Sequence, residues 1–303
     1  MNRTLSNEEA FLYGKVVNAA YSMFKRDPNV LQPEPAADDI PDPYELVAWI
    51  VMSDFMLNDE TPKFYGIVVR HREQRHNFIM GIRGTEGLRE WLDDVMVRLV
   101  PFSAADAGRV AYGFDRIYST LTVYRRHAGS DGTFAPKKAM ESESARERMA
   151  GTFAKQLEQL TDTLEEPGMA AVKPEDAPRR SFAVAGHSLG AALATLYVME
   201  NKERKRINIT TCCTLASPRV GNTDFARMFD RLPLDSWRIV NKQDLVPDLP
   251  LYVPILFDYE HVQTVYEFSS SGMVKWNPVC WHSIATYLHW LDKNYKLETN
   301  CVP

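Results

Sequence analysis

Hydrophobic and polar residues recur along this chain with two different periods, which divide it into predicted strands and helices. Short apolar runs rich in β-branched and aromatic residues predict strands at Leu46–Val51, Phe64–Arg70, Asn77–Ile82, Phe182–Ala185, Ile207–Leu215, Trp237–Val240 and Val262–Phe268. Apolar residues at helical spacing predict helices at Phe114–Arg126, Met140–Leu164, Leu189–Glu200, Thr223–Leu232 and Ser283–Tyr295. Strands that alternate with helices indicate an α/β fold with a mostly parallel central sheet and helices on both faces.

The N-terminal segment has a pattern of its own. Ser6 followed by Glu9 is typical of a helix N-terminus, and the helical spacing after it ends at Asp27-Pro28. Prolines and aspartates in residues 27–43 predict a loop that wraps the surface. We therefore expect a single domain over residues 1–303, in which residues 1–43 are an N-terminal helix and a wrapping loop.

Composition and charge exclude several classes of protein. With 45% hydrophobic and 25% charged residues, the chain can bury a full core, which excludes a disordered chain. A net charge of -5 leaves no basic excess, so no nucleic-acid partner is expected. No apolar run approaches the ~20 residues that cross a bilayer, and no signal peptide is apparent. A cytoplasmic location and export by another route both stay open.

The cysteine and histidine patterns indicate neither a metal site nor a dense disulfide framework. Cys212 and Cys213 are adjacent, and Cys280 and Cys301 lie near the C-terminus, without the spacing of metal ligands. We expect the cysteines to be mostly reduced and buried, with a Cys280–Cys301 bridge as the open alternative. No metal ion and no organic cofactor are expected.

A serine between two glycines follows the predicted strand Phe182–Ala185. Residues 186–190 read Gly-His-Ser-Leu-Gly, and a stretch of good helix formers comes directly after them. A serine on so sharp a turn needs small residues two positions before and after it, because the two backbones pass close to each other. The pattern predicts a nucleophile elbow at Ser188, beside a helix N-terminus that favours negative charge.

Five ordered stretches share their wording with one enzyme family. They are IMGIRGTEGLRE at residues 79–90, VAYGF at 110–114, VAGHSLGAALATL at 184–196, TLASPRVGN at 214–222 and IVNKQDLVPDLP at 239–250. In this order they resemble the class 3 (fungal-type) triacylglycerol lipases, although Ala111, Tyr112 and Ala216 depart from the family's wording. The resemblance implies the α/β-hydrolase fold and a serine ester hydrolase.

Acyl transfer by a serine also needs a base, an acid that orients the base, and an oxyanion hole. In α/β-hydrolases the acid and then the histidine follow the serine along the chain. The resemblance implies Asp244 as the acid, with Asp248 in the same loop as its rival, and His282 as the base. It also implies an oxyanion hole made by the backbone N–H groups of Leu189 and Thr85, with the Thr85 hydroxyl as a further donor.

The other histidines near these motifs are expected to have structural roles. We expect His187 to pack behind the elbow, because it cannot point the same way as its neighbour Ser188. His261 is expected to support the loop beneath the site. His289 lies within a predicted helix and is expected at the surface or in packing.

Residues 86–100 carry an amphipathic helical pattern directly after Thr85. Its apolar side comprises Leu88, Trp91, Leu92, Val95, Met96, Leu99 and Val100. Two interpretations stay open: a helix packed permanently on the core, or a lid of the kind that the resemblance implies, hinged at Gly84 and Gly87. In the second, Leu88, Trp91, Leu92 and Val95 cover the site until the protein meets a lipid–water interface.

The favoured prediction is a carboxylic ester hydrolase, a lipase that cleaves acylglycerol esters by Ser-His-Asp acyl-enzyme chemistry. A feruloyl esterase or a phospholipase on the same scaffold is one alternative, and a non-catalytic lipid-binding homologue is another. The expected partner is a lipid or ester substrate at a lipid–water interface. Acyl-chain length, regioselectivity, oligomeric state and physiological role stay open.

Overall fold

The computed structural model describes residues 5–54, 59–85, 98–104, 106–126, 149–164, 180–204, 206–250, 258–262 and 264–303. Their strands are β1 (Tyr44–Asp54), β2 (Asp59–His71), β3 (Asn77–Ile82), β4 (Leu99–Pro101), β5 (Arg109–Ala111), β6 (Thr122–Arg125), β7 (Arg180–His187), β8 (Ile207–Leu215), β9 (Gly221–Asn222), β10 (Asp235–Asn241), β11 (Tyr259–Glu260) and β12 (Val265–Phe268). Their helices are α1 (Asn7–Arg26), α2 (Tyr112–Tyr118), α3 (Phe153–Thr163), α4 (Leu189–Glu200), α5 (Thr223–Phe229), α6 (Pro278–His282) and α7 (Ile284–Leu291).

A large mixed sheet organises the molecule, with the strand order β12-β10-β8-β7-β3-β2-β1-β6. From β3 to β12 the neighbouring strands are parallel, as the alternation of strands and helices predicts. Strands β1, β2 and β6 are antiparallel, and the predicted hairpin is formed by β2 and β3. A second, smaller sheet has the order β11-β9-β5-β4 and was not predicted.

Helices cover both faces of the large sheet, so its strands are buried on two sides. Strand β7 illustrates this, since Phe182 and Val184 join the core under α2, α3 and α4. The alternate residues Ala183 and Ala185 join the core under α1 and α7, because successive side chains of a strand point to opposite faces. Helix α4 is buried from Leu189 to Met199, a stretch without a charged residue. Among the described helices, none has both the length and the apolar character that crossing a bilayer requires.

The N-terminal segment follows its prediction closely. Ser6 caps α1 by accepting a hydrogen bond from Glu9 N at 3.2 Å, and the helix ends at Arg26, directly before Asp27. The proline-rich loop that follows is fastened to the sheet, where Trp49 Nε1 donates to Pro33 O at 2.8 Å. This anchoring places α1 against the sheet, where its buried face reaches the site described below.

The predicted helix at Phe114–Arg126 is wrong in its second half. The helix α2 ends at Tyr118, and residues 122–125 form β6, which pairs with β1. The edge of the sheet offers β6 hydrogen-bond partners, and its Thr-Val-Tyr sequence has high β propensity. Gln156 of α3 completes the pairing on the other side, because its Oε1 accepts from Val123 N at 2.8 Å. Tertiary pairing here overrides a helical periodicity of local origin.

Other boundaries differ from the predictions as well, and two of the differences have the same kind of cause. Leu99 and Val100, assigned to the amphipathic helix 86–100, lie in β4, whose Val100 pairs with Val110 of β5. The predicted strand Val262–Phe268 is shorter, and only residues 265–268 join the large sheet. In both places a backbone partner, rather than the side-chain period, decides where the element begins.

Candidate active site

Ser188 lies between β7 and α4 on an unusual backbone. Its φ of 56° and ψ of -126° are values that residues with a side chain rarely adopt. Glycine is required on both sides of it, since a Cβ on Gly186 would lie 2.3 Å from the Gly190 carbonyl oxygen. A Cβ on Gly190 would lie 2.2 Å from the carbonyl oxygen of Ile82. The chain therefore forms the sharp elbow that its glycine spacing predicts.

The hydroxyl of Ser188 is buried and has no hydrogen-bond partner among the described residues. The backbone beneath it is fixed, because Ser188 N donates to Leu215 O at 3.0 Å. Leu189 is the first residue of α4, and the N–H groups of a first turn lack partners within the helix. Together with the partial positive charge of the helix N-terminus, this position suits a developing oxyanion.

Asp244 and His282 form a hydrogen-bonded pair beyond the end of β10. The Asp244 Oδ2 atom accepts a bond from His282 Nδ1 at 2.7 Å. A carboxylate can only accept, so Nδ1 of the neutral ring carries the proton and Nε2 is the basic nitrogen. Both side chains are buried, as Asp244 is 4% and His282 8% exposed. The sequence assignment of the acid and the base therefore joins two residues that are bonded in the fold.

Two further donors hold the Asp244 carboxylate. Tyr287 Oη donates to Oδ2 at 2.7 Å, and Val246 N donates to Oδ1 at 3.0 Å. Burial and the adjacent Asp244 carboxylate raise the pKa of Tyr287 well above its usual value, so its hydroxyl stays protonated and donates. The sequence patterns predicted no role for Tyr287. Its contact with Asp244 spans 43 residues of chain and is visible only in the tertiary structure.

The His282 ring lies beside the strand end that carries Ser188. The ring centroids of His187 and His282 are 4.7 Å apart, and His187 directly precedes the serine. Between Ser188 Oγ and His282, both described, no hydrogen bond is formed. In many enzymes this contact tightens only when the substrate binds. The fold thus brings the elbow close to the Asp244–His282 pair, while the hydrogen bond between Ser188 and His282 is not yet formed.

A chain of hydrogen bonds from α1 runs behind these residues. Gly84 N donates to Tyr21 Oη at 2.7 Å, and the Tyr21 hydroxyl donates to His187 Nδ1, 2.8 Å away. His187 Nε2 then donates to the backbone oxygen of His282 at 2.9 Å. Burial, together with the nearby His282, lowers the pKa of His187 well below its usual value, which keeps the ring neutral in this network. His187 is thus packed behind the elbow as predicted, whereas Tyr21 was missed.

Tyr21 was missed because its sequence context is that of an ordinary core residue. It lies on the buried face of the predicted amphipathic helix, where a tyrosine ring packs as phenylalanine does. Only the hydroxyl distinguishes it, and the partners of that hydroxyl lie more than 60 residues away. A buried tyrosine at this position is a weak sequence signal for a polar contact.

The segment that carries Thr85 lies directly against the nucleophile. A Cβ on Gly84 would lie 2.8 Å from Ser188 Cβ, so backbone and serine are in van der Waals contact. The guanidinium of Arg83 fixes this segment, because its Nη1 donates to Gly84 O at 2.7 Å. It is buried between the rings of Phe24 and Tyr65, 3.6 and 4.0 Å from their centroids. Thr85 is therefore next to the position that the resemblance implies, and its role as a donor stays a prediction.

The rival acid and the remaining histidines lie apart from this arrangement. The Asp248 side chain is exposed. His261 Nε2 contacts Pro247 O at 2.7 Å and so supports the loop that carries Asp244, as expected. Burial and nearby Arg238 lower the pKa of His261 to about 3, so it stays neutral. His289 Nδ1 contacts Tyr295 O at 2.7 Å and serves packing at the chain's end.

The cysteines follow the alternative that the sequence left open. Cys280 and Cys301 form a disulfide bond, so the expectation of mostly reduced cysteines is wrong for this pair. The bridge fastens the C-terminal segment to α6, two residues before His282. Cys212 and Cys213 are free and buried as expected, and burial raises the pKa of Cys212 to about 12.

The predicted lid residues Leu88, Trp91, Leu92 and Val95 lie outside the described residues. The lid therefore stays a prediction. Within the described ranges, no group of three or more histidine, cysteine and acidic side chains is arranged to hold a metal ion.

Comparisons with known proteins agree with this geometry. The family model of lipase (class 3) matches residues 79–253, more than half of the chain. Phospholipase A1-II 1 of Oryza sativa subsp. indica is 28% identical over 227 residues, which cover 71% of this chain and 50% of the relative. The chain thus spans about half the length of the curated relatives that it matches first.

Solved structures share the fold at lower identity. Lipase II from Rhizopus niveus has a TM-score of 0.55 and 22% identity, covering 86% of this chain and 80% of its own. A lipase from Rhizopus microsporus var. chinensis has a TM-score of 0.56 and 22% identity, covering 88% and 76%. The match to the family model and this shared fold together show that the chain belongs to the class 3 lipase family and has the α/β-hydrolase fold.

Proposed function

We propose that this protein hydrolyses carboxylic esters of lipids, with Ser188 as nucleophile, His282 as general base and Asp244 as the acid that orients it. The observation that carries the proposal is the bond of His282 Nδ1 to Asp244 Oδ2 at 2.7 Å, beside a strained serine elbow. Membership of the class 3 lipase family supports the same chemistry. His282 and the α1 residue Tyr21 lie outside the matched residues 79–253. The hydrogen bonds that they make are therefore evidence beyond that match.

The proposed reaction proceeds by acyl transfer. His282 Nε2 removes the proton of Ser188 as Oγ bonds to the ester carbonyl carbon, and Asp244 stabilises the charged ring. The carbonyl oxygen becomes an oxyanion, which Leu189 N and Thr85 would bind. The alcohol leaves with the proton from Nε2, and water repeats the sequence to release the acid. Since Ser188 is only 1% exposed, a neighbouring part of the chain must move before an ester reaches it.

The lipid class is the finer part of the proposal. The curated relatives are named phospholipases A1, while the structural neighbours are named lipases. Because the sequence matches are to phospholipases A1 and the lipases share the fold alone, a glycerophospholipid ester is favoured as the substrate. An acylglycerol is the second candidate, supported by the shared fold. A feruloyl ester is the remaining alternative.

Substrate profiling tests the proposal. We expect turnover of p-nitrophenyl esters of medium and long acyl chains and of phosphatidylcholine, with little turnover of methyl ferulate. Ser188→Ala should lower turnover by roughly 10⁵-fold or more while the far-UV spectrum and thermal unfolding stay those of the wild type. Silence on every ester, with Ser188 unlabelled by a fluorophosphonate, would favour the non-catalytic lipid-binding alternative.

A further inference from the structure

An exposed turn precedes α6, the helix that ends at His282, and continues into its first two residues. Its residues 275–279, Lys-Trp-Asn-Pro-Val, are all exposed, with Trp276 at 79% and Val279 at 55%. Leu245, directly after Asp244, is 58% exposed. We call Leu245, Trp276 and Val279 the apolar rim. A largely exposed tryptophan and two exposed aliphatic side chains, all on segments next to Asp244 and His282, are candidates for a contact site.

The turn is held rigidly at both ends. Lys275 N donates to Cys301 O at 3.0 Å, and the Cys280–Cys301 bridge closes the other end. The Asn277 side chain caps α6 by accepting from Val279 N at 2.9 Å. A surface that is already ordered loses little conformational entropy when it binds, so a fixed tryptophan is better suited to docking than a flexible one.

The apolar rim borders the proposed catalytic residues. Leu245 follows Asp244, and Val279 precedes His282 by three residues on α6. Asp244 and His282 are themselves bonded at 2.7 Å, so the chain segments that carry the rim meet at this bond. Anything that covers the rim is therefore close to the residues that would cleave an ester.

The charges around the rim indicate what kind of surface it fits. Lys275 lies within the turn, and Lys293 Nζ contacts Met273 Sδ at 3.4 Å, three residues before Trp276. Neither lysine has a carboxylate partner among the residues that the structure describes. Tryptophan is enriched at membrane–water interfaces, and lysines near the surface are attracted to anionic lipid headgroups. This combination is complementary to a phospholipid surface rather than to a purely apolar partner.

We propose that the apolar rim docks the protein on a phospholipid–water interface, with Trp276 among the headgroups and Lys275 and Lys293 at anionic phosphates. The inference rests on the proposed function in one respect, because a lipid-cleaving site gains from contact with the lipid surface. It adds which part of the chain makes that contact.

Vesicle binding by the full chain tests the proposal. In a Ser188→Ala background, which prevents hydrolysis, the protein should co-float with phosphatidylcholine vesicles that contain phosphatidylglycerol, and its tryptophan emission should shift to shorter wavelength. Trp276→Ala should weaken binding about tenfold and remove most of the shift, because a largely exposed indole is the side chain transferred. Omitting phosphatidylglycerol should also weaken binding.

A matched pair of valines provides the control. Val279→Ser should weaken vesicle binding, whereas Val265→Ser should leave it unchanged. Val265 is similarly exposed at 44%, but it pairs with Arg238 at the start of β12, whereas Asp244 lies beyond the far end of the neighbouring β10. Equal binding by the parent and Trp276→Ala would overturn the proposal. So would a dimer that Trp276→Ala converts to monomers, because a second copy would then cover the rim.

The two proposals fail in different ways. Vesicle binding that depends on Trp276, without turnover of any ester by the Ser188-intact chain, would reject ester hydrolysis and keep the docking surface. Turnover of a dissolved short-chain ester, with vesicle binding indifferent to Trp276, would reject the docking surface alone.

Discussion

The two halves of the proposed catalytic site are held in opposite ways. On the acid and base side, His282 and Tyr287 donate to one Asp244 oxygen and Val246 N donates to the other. On the nucleophile side, the Ser188 hydroxyl is buried without a partner in the described part of the chain, on a backbone with φ 56°. The Asp244–His282 pair is thus fixed by hydrogen bonds, whereas the proposed nucleophile Ser188 is positioned by its backbone geometry.

This difference follows from what each half has to do. The imidazole must stay in one orientation and tautomer while it gains and loses a proton, which several bonds to its acid ensure. The serine oxygen must form a new bond, and partners in the free protein would compete with its attack. The strained turn and the unpaired hydroxyl each cost stability, of order 1 to 3 kcal/mol. The surrounding core compensates for that cost.

Apart from loss of the nucleophile itself, the largest effect is expected when Asp244 loses its carboxylate. Asp244→Asn should lower kcat about 10⁴-fold, because an amide favours the wrong tautomer of His282. Asp248→Asn, an identical change on an exposed neighbour in the same loop, should lower kcat less than threefold. Initial rates on a p-nitrophenyl ester measure both. Equal losses in the two variants would show that the acid is misassigned.

Removing the disulfide should loosen the segment that holds His282. The bridge spans a sequence separation of 21 residues, so Cys280→Ala with Cys301→Ala should lower the free energy of unfolding by about 3 kcal/mol. Urea titrations followed by circular dichroism give this value. Dithiothreitol should destabilise the wild type to a similar extent and leave the double variant unaffected. A wild type indifferent to reduction would contradict the prediction.

The network behind the elbow should respond to loss of one hydroxyl. Tyr21→Phe leaves Gly84 N and His187 Nδ1 buried without their partner, so we expect about 2 kcal/mol lower stability and roughly tenfold lower kcat. Tyr197→Phe is the matched control, because the Tyr197 hydroxyl is buried without a hydrogen bond among the described residues. That variant should be neutral or slightly more stable. Similar effects of the two changes would show that Tyr21 acts through packing alone.

The smallest effect concerns the strain at the nucleophile. Glycine adopts a positive φ freely, so Ser188→Gly should raise the free energy of unfolding by about 1 kcal/mol over Ser188→Ala. Both variants lack the nucleophile, and thus the comparison is one of stability only. Thermal and urea unfolding measure the difference. An alanine variant as stable as the glycine variant would indicate that the elbow carries little strain.

The sequence was informative wherever chemistry is encoded locally. The elbow glycines, the capped N-terminal helix and the strands β7 and β8 could be predicted, because each depends on residues within a few positions. The proposed acid and base were assigned by motif resemblance, and the fold places Asp244 and His282 in direct contact. Prediction failed at residues 122–125 and 99–101, where pairing with a distant strand decides the element. Side-chain periodicity carries no information about a partner strand that is distant in the sequence.

The sequence by itself determined the strained serine turn and the two-sided burial of the sheet, since glycine geometry and side-chain alternation act over short distances. Only the tertiary structure decided that Tyr21 and Tyr287 belong to the site, that Cys280 and Cys301 are bridged, and that Trp276 is left in solvent. These outcomes depend on hydrogen bonds, covalent bonds and burial between residues far apart in the chain. These interactions stabilise the protein only when the packed fold holds the interacting groups together.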